Sequence, residues 1–139
     1  MATNGDQARV LLNKAAKDEA LVRKIGSDTD IADELVGFHA QQAVEKAMKA
    51  VLAAKAVAFP FIHDLEVLTE LCEEAGAPLP NGLDDVAELT PYASDLRYDE
   101  DTMQLVDRET ALKWAAATIA WARGIVEEPE PNQTSPPSS

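Results

Sequence analysis

Between Gly37 and Ala50 the chain reads GFHAQQAVEKAMKA. This places His39, Gln41, Gln42, Glu45 and Lys46 within about two helical turns. An imidazole moves protons near neutral pH, and a side-chain amide both donates and accepts hydrogen bonds. A second histidine, His63, follows Phe59-Pro60, and Arg97-Tyr98 adds a guanidinium and a phenol. His39, Gln42, Lys46, His63, Arg97 and Tyr98 are therefore the candidate binding groups for a nucleotide or RNA.

Other chemistries find less support in the residues. The one cysteine, Cys72, falls in the spacing Leu65, Leu68, Cys72, Ala75, which is that of a small core residue. No histidine lies at a helical spacing that would activate it. Asp84, Asp85 and Glu88, and then Asp99, Glu100 and Asp101, are carboxylate clusters without a nearby histidine. They read as solvated charge before they read as a cation site. The six glycines are scattered, so no phosphate-binding loop is present, and Ser27 and Ser94 have no evident base. Trp114 and Trp121, seven apart, fit a helix packing edge better than a stacking platform. No catalytic residue, metal-ligand set or cofactor is assigned.

The elements that must position these groups are helical. Apolar residues at three-four spacing predict helices over about Asp6 to Ile25 and about Asp30 to Val57. Further helices are predicted over about His63 to Ala75 and about Thr102 to Glu127. A shorter segment, about Leu83 to Arg97, contains Pro91. Gly26 and Gly76 offer stops, and Phe59-Pro60 is expected to end the second helix. No strand-period alternation and no internal repeat is found. The expected fold is an all-α, antiparallel up-and-down bundle of four long helices and one shorter segment. It spans residues 1–127, followed by an acidic, Pro- and Ser-rich tail, 128–139, with too little apolar content to form a core.

At about 100° per residue, Gln41 and Glu45 fall beside Met48, Val44, Val51 and Leu52 on the buried side of the second helix. His39, Gln42 and Lys46 fall on another side, with Ile31, Leu35 and Phe38. A buried amide and a buried carboxylate require partners. His63, Arg97 and Tyr98 are the candidates for Glu45. Two readings stand: a polar network of Gln41, Glu45, His63 and Arg97 that pins the helices in register, or a ligand pocket lined by the same groups. The second side predicts partial cover by another helix, with a contact to a second copy at its edge.

The chain has 139 residues and a net charge of −13. Most of its acidic side chains lie beyond residue 56, and that half repels phosphate backbones. No apolar run reaches the roughly 20 residues of a membrane-spanning helix, and the N-terminus lacks a secretory pattern. A cytoplasmic location is expected.

Phe38-His39-Ala40-Gln41-Gln42-Ala43-Val44-Glu45-Lys46-Ala47 resembles the signature of prokaryotic HEPN domains. The likeness continues in Phe59-Pro60, His63-Asp64-Leu65 and Arg97-Tyr98, and in the opening Ala8-Arg9-Val10-Leu11-Leu12 with Lys14-Ala15. It covers about Gln7 to Val126. The resemblance implies a helical bundle, a homodimer, and a minimal nucleotidyltransferase as frequent partner, in toxin–antitoxin-like systems. Many relatives are ribonucleases that carry an arginine, then four to six intervening residues, then a histidine. Here those places hold Ala32, Asp33 and Glu34 before His39, and Ala56, Val57 and Ala58 before His63. No histidine follows Arg97, Arg108 or Arg123. Ile62 stands where relatives often have threonine. The expectation is a non-catalytic binding and assembly module. The alternative is a nucleotide- or RNA-binding protein with ribonuclease activity.

Overall fold

The computed structural model describes residues 3–93 and 106–127. Among them the elements are α1 (Asn4–Gly26), α2 (Asp33–Ala54), α3 (Leu65–Glu74), a 3-10 helix (Val86–Ala93) and α4 (Arg108–Val126). The architecture is all-helical, with no strand among the described residues.

Three helices begin with a side-chain cap. Thr3 and Asp6 form a reciprocal capping box on α1, and Asp107 accepts the Thr110 amide of α4. Asp64, expected inside the third helix, is instead its N-cap and accepts the Glu66 amide. The absence of threonine at Ile62 is thus offset two residues later. α2 has no side-chain cap; Asp33 and Glu34 in its first turn complement the helix dipole.

Stops differ from expectation as well. α2 ends at Ala54, well before Phe59-Pro60. The Val57 amide reaches the Leu52 carbonyl at 2.9 Å and the Ala56 amide reaches that of Ala53 at 3.0 Å. That is a Schellman turn, and it puts Ala56 at φ +59°. A residue with a β-carbon is there at a cost of about 1–2 kcal/mol. The same turn after α3 uses Gly76, φ +83°, at the equivalent place.

α1 and α2 pack antiparallel: Asn4 and Gln7 neighbour Ala53 and Val57 at one end. Asp18 pairs with Lys46 midway, at 2.6 Å. The sequence pattern put Asp18 on the solvent side of α1, but it is half-buried, and Glu19 beside it is buried. α3 and the 3-10 helix together carry the chain back toward the start of α2, where Tyr92 meets Gly37. The segment expected as a helix over 83–97 is a 3-10 helix over Val86–Ala93, consistent with Pro91 inside it. The rest of that range, 94–97, lies outside the described residues, as do 102–105 and the tail, 128–139. α4 starts at the end where α1 finishes. There Arg108 donates to the carbonyls of Gly26 (3.1 Å), Asp28 (3.0 Å) and Ile31, and pairs with Asp33.

The core is continuous, with Leu12, Val22, Met48, Leu52, Leu68, Leu89 and Ile119 at its centre. Trp114 and Trp121 are half-buried against it, and the Trp121 indole donates to the Pro78 carbonyl at 3.1 Å. A β-carbon at Gly37 would stand 2.5 Å from two ring carbons of Tyr92. Alanine is the better helix former by about 1 kcal/mol. Even so, Gly37→Ala is expected to lower stability by about 1–3 kcal/mol through overpacking. A urea unfolding midpoint above that of the parent contradicts this packing.

Candidate functional site

α2 turns three polar side chains at i, i+4 and i+8 into the interior. Gln41 is fully enclosed, Glu45 is 5% exposed and Lys49 is 7% exposed. Their spacing stacks them on one face. The Lys49 ammonium donates to Glu45 Oε2 at 2.8 Å and the Gln41 amide donates to Oε1 at 2.7 Å. His63, at the approach to α3, brings Nδ1 within 3.0 Å of both carboxylate oxygens. A proton on Nδ1 satisfies that contact. Gln42 extends the chain outward, donating to Gln41 Oε1 at 2.7 Å.

The result is a closed set of charge-assisted hydrogen bonds around one buried carboxylate. Burial raises the Glu45 carboxyl's affinity for a proton. The hydrogen bonds from Lys49, Gln41 and His63, with the Lys49 charge, outweigh it and hold the group below its ordinary value of 4.5. Lys49 is enclosed in turn by two aromatic rings, with Nζ 5.8 Å from the centre of Phe59 and 5.9 Å from that of Phe61. The His63 side chain is 62% exposed, so its far edge, with Nε2, faces solvent.

Four of the six candidate binding residues, His39, Gln42, Lys46 and His63, lie among the described residues. Gln42 and His63 reach the network from opposite sides. Lys46 is bound to Asp18 on α1. His39 is half-buried with its ring edge-on to Phe38, centroids 5.0 Å apart. Its Nδ1 is buried and has no hydrogen-bond partner among the described residues. Arg97 and Tyr98 lie outside the described residues. Of the expected network, Gln41, Glu45 and His63 are in mutual contact.

Sequence reasoning missed two participants. Lys49 carried a readable signal, since it follows Glu45 at i+4, the spacing of a helical ion pair. Arg108 carried none, because its partners lie 75 to 83 residues away. Cys72 is buried under α2, and burial, with the Glu73 charge, pushes its thiol up to about 12. It is therefore no nucleophile at neutral pH. Among the described residues no group of His, Cys, Asp and Glu side chains is placed to hold a metal ion. Nor is any described helix long and apolar enough to cross a membrane.

The depressed Glu45 carboxyl has a signed consequence. Its contribution to stability is complete above pH about 4.5 and is lost as pH falls through the lower folded-state value. Glu45→Gln is expected to reduce stability at neutral pH by about 1–3 kcal/mol, the range for disturbing a buried charged contact. It should also flatten the decline of stability below about pH 4.5. Denaturant titrations across pH read both effects; an unchanged acid slope contradicts the assignment.

Comparison with curated proteins and with solved structures found no match. The family model of the HEPN domain matches residues 8–125, which takes in α1 from Ala8 onward, all of α2 and α3, and all but the last residue of α4. The likeness read from the α2 motif thus extends over nearly the whole bundle, and the chain belongs to the HEPN domain family.

Proposed function

We propose that the chain is a non-catalytic binding and assembly module. It forms a homodimer and works with a nucleotidyltransferase-type protein, in a toxin–antitoxin-like pair. The observation that carries this reading is how the charged groups are spent. Both oxygens of Glu45 are taken by Gln41, Lys49 and His63. Lys46 is held by Asp18 and Arg108 by backbone carbonyls. Beside its charges the surface exposes large apolar side chains: Val10 is 53% exposed, Leu35 48% and Phe61 98%. Groups with this distribution support association better than transition-state chemistry. Sedimentation at micromolar concentration is expected to give a dimer. The tagged chain, expressed in its own host, is expected to retain a nucleotidyltransferase-type subunit. A monomer that retains no protein partner contradicts the reading.

A second reading, nucleotide or RNA binding with ribonuclease activity, is favoured by one feature. A buried carboxylate orients the ring of the exposed His63, as a general base requires. His39, Gln42, Lys46, Arg97 and Tyr98 are the other groups this reading would draw on. Cleavage of RNA should then be lost in His63→Ala. Equal cleavage by parent and variant contradicts it.

A further inference from the structure

The connection after α2 is apolar and uncovered. From Val57 to Ile62 it reads VAFPFI, and each of these side chains is half-buried or exposed. Phe61 is 98% exposed; it follows Pro60 directly, and the Lys49 ammonium lies 5.9 Å from its ring centre. A full phenyl ring in water contributes almost nothing to folding. Beside it lies an open depression of about 360 Å³ that Phe61 does not fill. Asn4 and Gln7 of α1, Ala53 of α2, and Val57 and Phe59 line it. A protruding ring and an open hollow of mixed lining, polar at Asn4 and Gln7 and apolar at Ala53, Val57 and Phe59, therefore share the α2–α3 connection.

Charge decides what can cover them. Residues 46–63 contain no acidic side chain, in a chain with 25 of them. The acids that flank this stretch are engaged, Glu45 by Gln41, Lys49 and His63 and Asp64 by the α3 cap, and on α1 Asp6 is engaged by Arg9 and the helix cap. Two copies of a protein at −13 repel each other over most of their surfaces. They can approach closely where carboxylates are absent. A basic partner would be drawn to the acidic C-terminal half instead.

We propose that this face is the contact between two copies of the chain, with Phe61 of each copy seated in the hollow of the other. Knob and hole on the same face give a self-complementary, two-fold contact. An aromatic ring entering a desolvated pocket is its energetic centre. This rests on the homodimer reading and locates it on the α2–α3 connection. The side of α2 carrying Leu35 is then not the contact.

Sedimentation equilibrium on the full chain tests this, comparing the parent with Phe61→Asp, Ala58→Glu and Leu35→Asp. The parent and Leu35→Asp are expected to dimerise alike. Phe61→Asp and Ala58→Glu are expected to raise the dissociation constant ~100-fold or more, as loss of a central anchor does. All four should keep the parent's helical circular dichroism, since each substituted side chain is exposed. A dimer that survives both Phe61→Asp and Ala58→Glu, or one lost only in Leu35→Asp, overturns the proposed face and leaves the homodimer reading standing. A monomeric parent overturns both, and leaves the face to a different protein or to the chain's own tail.

Discussion

One carboxylate sets the terms for the rest of the bundle. Glu45 sits on the helix that supplies more of the core than any other described element, with Val44, Met48 and Leu52 beside it. Moving a carboxylate out of water costs several kcal/mol even after relaxation. That cost is tolerable only where the charge is balanced and every lone pair is used. Lys49 balances it from the next turn, Gln41 from the previous one, and His63 closes the set from the far side of the α2–α3 connection. A buried ion pair is weak support for net stability, but it is selective about geometry. Only one placement of α2 against the start of α3 satisfies all four groups.

The network also divides the surface. On its outer edge it exposes His63 and the rings that shelter Lys49. On the other side it reaches Gln42, half-buried on the flank of α2. A second hub holds the opposite end of the molecule. There Arg108 gathers the last carbonyls of α1, those of Ile25 and Gly26, which lack helical partners, together with those of Asp28 and Ile31 in the turn before α2. With both ends tied, the return path can be short. A ten-residue α3 and a 3-10 helix suffice, locked by Tyr92 against Gly37 and by the Thr90 hydroxyl on the Leu65 amide.

Much of this could be read from residues alone, for a physical reason. Helical periodicity is a local property, so α1, α2 and α4 follow directly from their apolar stripes. The same periodicity sets Gln41 and Glu45 beside Met48, where they are found. Local chemistry also marks the caps, although α3 begins at Leu65, two positions later than expected, with Asp64 as its N-cap. The end of α2 was less legible, because Pro60 is a strong stop signal while an alanine in a left-handed turn gives none. Asp18 shows the limit of pattern reading, since an acid on a polar stripe turns half-inward to meet Lys46. Long-range partnerships such as Arg108 with the α1–α2 corner, and Tyr92 over Gly37, depend on tertiary placement. The α2 motif resembled a family, and that likeness reached the bundle as a whole. It did not indicate which face of the bundle meets a partner.

The most direct measurement is an NMR pH titration of the Glu45 side-chain carboxyl carbon in the folded chain. A charge buried and balanced as described should keep its carboxylate form below the ordinary value of 4.5. A titration midpoint above 4.5 would mean that burial outweighs its partners, and the network would not be the ionic hub on which this account of the fold rests.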